Sequence, residues 1–471
     1  MKPDLLPKEI FKAYDIRGIV GKTLTPEIIE AIGHAIGSEA TARHQTQICV
    51  GYDGRLSGSE LAAALSRGIR NSGIHVINLG MVATPMVYFA ACHLGTNCGV
   101  MVTGSHNPPD YNGLKMVLAG ETLSGETIQS LRQRIEENRL CKGNGSESNY
   151  DIAPDYLARI AEDVKLARPM KIAVDCGNGV AGAFAKKLYE ALGCEVEELF
   201  CEVDGNFPNH HPDPSVPENL SDLIGALKNS GAEIGLAFDG DGDRLGVVTK
   251  DGNIIYPDRQ LLLFAEDVLK RQPGATIIYD VKSTRNLAPW IKARHGKPLM
   301  WKTGHSLVKA KIKETDAALA GEMSGHVFFN DSYGADEPRQ GRRWYGFDDG
   351  LYAGARLLEI LSRFADPSAV LNGLPDSIST PEQHIKMQEG EPHTLIAHLQ
   401  ATARFDDATE VITTDGLRVE YPDGFGLMRP SNTTPVVVLR FEADSEAALK
   451  RIQAQFRELI LAAAPEAKLP F

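Results

Sequence analysis

The sequence predicts an α/β protein of three related α/β units with mixed or parallel sheets, followed by a C-terminal α+β lid domain, with the functional loops meeting in one central cleft. Two observations carry this reading. Three segments share one opening, an apolar strand, a polar or glycine turn after an aspartate, and then a helix: QICVGYDGR (47–55), KIAVDCGNG (171–179) and ATIIYDVKST (275–284). Each is followed by a strand after a glycine (GIHVINLG, GCEVEELF, GKPLMWKTG), and then by an apolar strand that runs into a loop rich in functional groups (CGVMVTGSHNP, EIGLAFDGDGDR, AALAGEMSGH). Strands alternating with helices form parallel sheets, and ligands of such sheets bind beyond the carboxyl ends of the strands. Three repeated units thus bring three special loops toward a shared site.

A chain of 471 residues exceeds what one hydrophobic core supports. The segment CKGNGSESNYDIAPDY (141–156) has the composition of a linker, DGNIIYPDRQ (251–260) closes the second unit, and a third change follows LLEILSRFADPS near 368. Domains are therefore expected at 1–150, 151–253, 254–367 and 368–471. The last lacks the repeated opening. Its short strands EVITTDGLRVEY and PVVVLRFEA and its closing helix SEAALKRIQAQFRELILAAA suggest a small lid, expected to pivot near Asp366 to Ser368.

The formal net charge of −13 excludes a protein whose main partner is nucleic acid, so an anionic substrate must meet locally gathered cations. Seven cysteines without CxxC or zinc-type spacing suggest reduced thiols and a cytoplasmic setting. No stretch approaches the roughly 20 apolar residues of a membrane span.

DGDGDR places Asp239, Asp241 and Asp243 at alternate positions after the apolar run IGLAF. In extended chain alternate residues share a face, so the three carboxylates can turn toward one point and suit Mg²⁺ or Ca²⁺. An EF-hand is excluded, because its sixth and twelfth positions are Arg244 and Lys250 rather than Gly and Glu. TGSHNPPDYNG holds Ser105 in a proline-stopped loop, with His106 beside it and Lys115 downstream. Ser105 is either a nucleophile or a turn residue on this evidence, and the loop is not a G-x-S-x-G elbow.

RPSNTTP (429–435) concentrates Arg429, Ser431, Asn432, Thr433 and Thr434, the groups that grip a phosphate dianion or simply form a polar turn. GEMSGH supplies Glu322, Ser324 and His326, and KTGHS supplies Lys302 and His305, which suit sugar hydroxyls and proton transfer only in combination. Two further patterns read as structural. Gly177 to Gly182 satisfies G-x-G-x-x-G with Glu197 or Glu198 at the ribose distance, which keeps a nucleotide-binding dehydrogenase open as an alternative, but no hydride-transfer constellation accompanies it. His210 and His211, being adjacent, point apart in extended chain and fit a loop better than a metal site.

With these loops in this order, the chain resembles the α-D-phosphohexomutase superfamily, most closely its bacterial phosphomannomutase/phosphoglucomutase branch, from YDIRG (14–18) through RPSNTTP. The resemblance implies four domains around one cleft: a phosphoserine domain, a metal-binding domain, a sugar-recognition domain and a mobile phosphate-binding lid. It implies that Ser105 is the phosphoserine and that Asp239, Asp241 and Asp243 hold Mg²⁺ together with a Ser105 phosphate oxygen. Arg244 would steady the phosphoryl group, Glu322 and Ser324 would read sugar hydroxyls, and Lys115 and His326 would transfer protons. Arg429, Ser431, Asn432 and Thr433 would clamp the other phosphate, helped by Tyr14, Arg17, Lys282 and His305. The implied reaction interconverts 1- and 6-phosphates of glucose and mannose through glucose 1,6-bisphosphate or mannose 1,6-bisphosphate, in a monomer that needs neither nucleic acid nor membrane. A phosphoglucosamine mutase and a catalytically idle phosphosugar-binding protein are the alternatives. One departure is the stretch 330–343 after GEMSGHVFF, longer than the branch leads one to expect and read as a surface loop.

Overall fold

The computed structural model describes residues 6–335, 337–432 and 434–471. Its first three sheets repeat one strand order. In the first, His75–Met81, Gln47–Tyr52 and Gly99–Val102 run parallel, and Tyr111–Leu118 folds back antiparallel. Cys194–Leu199, Met170–Asp175, Ile234–Phe238 and the reversed Leu245–Thr249 reproduce it in the second. Lys297–Trp301, Thr276–Asp280, Leu319–Gly321 and the reversed Val327–Phe329 do so in the third. The loops carrying Ser105, the three aspartates and Glu322 are thus the same hairpin connection in three copies. The second and third loops also pair directly, through a bridge between Arg244 and His326.

Ile234–Phe238 is buried along its whole length, as a strand covered on both faces must be. The same holds for the helix Gly350–Leu361, all of whose residues are buried. Its Arg356 is neutralised by Asp331 at 2.9 Å through both guanidinium nitrogens. Asp349 caps the helix by accepting from Tyr352 N at 2.9 Å. The helix start presses on the aspartate loop: Gly350 N donates to Gly242 O at 3.2 Å, and a Cβ on Gly350 would lie 2.6 Å from Arg244 O. Only glycine permits that approach.

The fourth sheet has six strands and is antiparallel in every pairing, with the helices Glu391–Thr402 and Glu446–Ala463 packed on it. A buried polar seam joins it to the third unit. Arg440 donates to Asp258 at 3.0 Å, Thr284 to Glu442 at 2.8 Å, and Arg418 to the carbonyls of Val281 and Ser283 at 2.7 and 2.6 Å.

Three details add to the sequence reading. Glu147–Asn149, inside the expected linker, is a strand parallel to the edge strand His75–Met81. These residues are poor strand formers, but an edge offers unpaired backbone groups to any passing segment. The expected pivot is pinned: Lys250 reaches Asp366 at 2.9 Å, and Ser368 Oγ donates to Glu233 O at 3.2 Å. The following residues are held by Arg259 through Leu374 O at 3.0 Å. The long stretch after GEMSGHVFF folds against the helix Ala153–Asp163, with Tyr333 on Asp163 at 2.7 Å and Arg339 on Glu162 O at 2.7 Å. None of its described residues lines the cleft.

Candidate active site

A cleft of about 1190 Å³ opens where the four units meet. Ser105, Lys115, Arg244, His326, Glu322, Ser324, Tyr14, Arg17, Lys282, His305, Arg429, Ser431 and Asn432 all line it. Asp239, Asp241 and Asp243 are fully buried behind Ser105 and Lys115. Thr433 lies outside the described residues.

The reacting end is built on a strained turn. Ser105 has a φ of +49°, a left-handed conformation that costs a side-chain-bearing residue about 1 kcal/mol or more. Arg55 holds it there, donating to the carbonyls of Ser105 at 2.8 Å, Asn107 at 2.5 Å, Pro108 at 2.5 Å and Tyr111 at 2.9 Å. Asp53 ties the same loop down by accepting from Thr103 Oγ1 at 2.8 Å and Gly104 N at 3.1 Å. Sequence reasoning missed both residues, although Arg55 ends the only one of the three openings that finishes on a basic residue.

Ser105 Oγ donates to Asp239 Oδ2 at 3.0 Å and sits 3.2 Å from His106 Nδ1. The approach of the two loops requires Gly240, whose Cβ would otherwise fall 2.3 Å from Ser105 O. Burial pushes Asp239 well above the usual carboxylate range, with the charges of Asp241 and Asp243 adding to it. At Asp241, Lys115 overrides burial and the repulsion of Asp243, and at Asp243 it overrides burial, holding both carboxylates below that range. Lys115 Nζ reaches Asp241 Oδ2 at 2.8 Å and also Asp243 Oδ2. Burial opposes the charge of Lys115, but Asp241 and Asp243 beside it hold its ammonium above the usual lysine range. Asp241 Oδ1 and Asp243 Oδ1 are buried without a hydrogen-bond partner among the described residues. Such orphaned hard oxygens beside the Ser105 hydroxyl fit a divalent cation such as magnesium.

Arg244 stands 3.7 Å from Asp239 and 3.8 Å from Asp213, a partner the sequence did not reveal. His326 lies between the second and third loops, with Nε2 3.3 Å from Asp243 and Nδ1 2.7 Å from Ser324 Oγ. Glu322 accepts from Gly304 N at 2.5 Å, and burial raises its carboxyl to about 6. His305, driven well below its usual value by burial with help from Lys309, is a neutral imidazole.

The opposite end is assembled from the first, third and fourth units. Arg429 donates to Asp415 at 3.0 Å, and Asp415 also accepts from Thr303 N at 3.0 Å. Asn432 donates to the Tyr14 hydroxyl, which in turn donates to Thr303 O at 2.8 Å. Lys282 is held by Glu382 at 2.8 Å, and Arg17 by Asn107 at 2.9 Å, Gly104 O and Asp15. The glycines of 177–182 serve packing: a Cβ on Gly179 would lie 2.9 Å from Gly240. His210 is anchored on Asp175 at 3.0 Å, a loop tie rather than a metal ligand.

Buried carboxylates around a serine, with cationic groups across the cleft, define a site for moving phosphoryl groups on a polyhydroxylated substrate. The chain belongs to the phosphoglucomutase/phosphomannomutase family: family descriptions of its alpha/beta/alpha domains I, II and III match residues 8–141, 154–252 and 256–377, and that of the C-terminal domain matches 384–459. Among its relatives are a phosphoglucomutase of Neisseria meningitidis, 62% identical over 97% of each chain, and a phosphomannomutase/phosphoglucomutase of Pseudomonas aeruginosa, 56% identical over 100% of this chain and 99% of that one. A solved structure of a phosphoglucomutase/phosphomannomutase family protein from Burkholderia thailandensis is 61% identical, covers 99% of this chain and 100% of that one, and superimposes with a TM-score of 0.93.

Proposed function

We propose that this chain is a cytoplasmic, magnesium-dependent isomerase that moves a phosphoryl group between O1 and O6 of glucose and mannose phosphates, with phosphorylated Ser105 as donor and acceptor and the hexose 1,6-bisphosphate as intermediate. The observation that carries the reading is the contact of Ser105 Oγ with Asp239 at 3.0 Å, at the edge of the three-aspartate cluster and facing the cleft. Asp239, Asp241 and Asp243 would hold the magnesium, which when bound would neutralise phosphoryl charge. Arg244 and the Lys115 ammonium add fixed positive charge to the same group. His326 is placed to take the proton of the attacking sugar hydroxyl, while Glu322 and Ser324 hold vicinal hydroxyls. Arg429, Ser431, Asn432 and Lys282 grip whichever phosphate is not reacting, with Tyr14, Arg17 and His305 around it. After the first transfer the bisphosphate turns over and presents its other phosphate to Ser105.

The names of the relatives at 56–62% identity support the hexose reading over a phosphoglucosamine mutase, as does Met323 in GEMSGH. A complete set of Ser105, three aspartates and Arg244 speaks against an idle binding protein. A coupled assay on the 1-phosphates of glucose, mannose, galactose and glucosamine tests the assignment. Glucose and mannose substrates should turn over within about tenfold of each other, equivalent to ~1.4 kcal/mol, because no contact is committed to O2. Galactose 1-phosphate, inverted at O4, should be much poorer, since it leaves a buried polar group unpaired at roughly 1–3 kcal/mol. Preference for glucosamine 1-phosphate, or equal use of galactose 1-phosphate, would overturn it.

A further inference from the structure

Beside the three aspartates, Asp348 brings to Asp243 and His326 a buried carboxylate that the transfer reaction leaves unexplained. His326 Nε2 lies 3.3 Å from Asp243 Oδ1 and 3.9 Å from Asp348 Oδ2, and Asp348 Oδ2 lies 3.7 Å from His305 Nδ1. Asp243 Oδ1, Asp348 Oδ2 and His305 Nδ1 are buried with no hydrogen-bond partner among the described residues, and Asp348 and His305 are 0% and 8% exposed. The far oxygens are already taken: Lys309 donates to Asp348 Oδ1 at 2.7 Å and Lys115 to Asp243 Oδ2. Each carboxylate is thereby turned to present its free oxygen inward.

Tetrahedral bonds of about 2.0–2.1 Å set neighbouring ligand atoms about 3.3–3.4 Å apart. The His326–Asp243 pair already has that spacing, and the Asp348 oxygen needs to approach His326 by about half an ångström. We propose that Asp243, His326 and Asp348 form a second cation seat, with His305 beside it, suited to a zinc-class ion and sharing Asp243 Oδ1 with the three-aspartate cluster. The imidazole of His326 favours zinc over a hard cation that prefers oxygen ligands. Because Asp243 Oδ2 is committed to Lys115, the shared oxygen serves one seat at a time. Resting on the proposed function, an ion in this seat withdraws His326 and Asp243 from the reaction, making zinc an inhibitor that magnesium relieves.

X-ray absorption of the full-length protein loaded with one equivalent of Zn²⁺, without magnesium, tests the seat independently of turnover. The expected spectrum shows imidazole scattering from one histidine and a nitrogen/oxygen shell near ~2.0 Å. Zinc affinity, read by competition with a chromophoric chelator, should fall at least about tenfold in Asp348→Asn and stay within about twofold in Asp239→Asn. An oxygen-only shell, or an affinity lost in Asp239→Asn and kept in Asp348→Asn, would put zinc among the three aspartates and overturn the proposal. The wild-type spectrum decides even if a variant does not fold, and neither readout depends on which sugar is turned over.

Discussion

The two ends of the cleft are built on opposite plans. At the reacting end Ser105, Lys115 and the three aspartates are at most 3% exposed and bonded to one another across two units. At the far end Ser431 and Asn432 are half-buried and Thr434 is exposed, on a loop reached from the fourth domain. Charge stabilisation in phosphoryl transfer needs groups fixed in advance, whereas a phosphate that must be gripped, released and gripped again needs a loop that can let go. The difference teaches that catalysis here is spent on one rigid face, and that substrate exchange is left to the other.

Four substitutions or conditions break or sharpen that contrast, in falling order of effect. Asp241→Asn removes a carboxylate from the rigid face and should lower kcat by about 10²–10⁴-fold with an unchanged circular dichroism spectrum, as expected where a cation neutralises the transferring group. Arg429→Ala acts on the adjustable face and should lower kcat/KM by about 10²-fold, mainly through a higher KM, since a lost charged hydrogen-bond pair is worth about 2–3 kcal/mol. Steady-state kinetics separate the two cases, and a purely kcat effect at Arg429 would erase the distinction. Arg55→Met, which touches no substrate, should lower kcat by about tenfold at constant KM by loosening the Ser105 turn. An unchanged kcat would show that the strained turn holds itself.

The last prediction concerns the scaffold behind the rigid face. Burial works against the Asp331 charge, but Arg356, aided by Arg271, holds its carboxyl down to about 2. Because that value is below the ordinary one, the contribution is complete above about pH 4 and is lost as the pH falls toward 2, roughly 2 kcal/mol in all. Denaturant titrations from pH 5 downward should show this slope in the wild type and a shallower one in Asp331→Asn.

Much of this was legible in the sequence because each functional loop is a short, contiguous motif at the end of an apolar strand. DGDGDR could be read without knowing its neighbours, TGSHNP and GEMSGH gained their meaning in combination with it, and the threefold order of strands placed them together. Arg55, Asp213, Asp348 and Asp415 were not legible, since their roles exist only through partners far along the chain, as Arg55 and Ser105 are 50 residues apart. The edge strand Glu147–Asn149 was hidden for a related reason: its pairing comes from the strand it meets, not from its own composition. Lys115 is legible as a site residue, but its pairing with Asp241 and Asp243 emerges only from the fold.

The central claim is that Ser105 carries the phosphoryl group in transit. Incubating the protein with glucose 1,6-bisphosphate, then measuring intact mass and mapping the modified peptide, should find a single phosphate on Ser105, which is lost on adding excess glucose 1-phosphate. Phosphate on any other residue, or wild-type turnover in Ser105→Ala, would contradict the account.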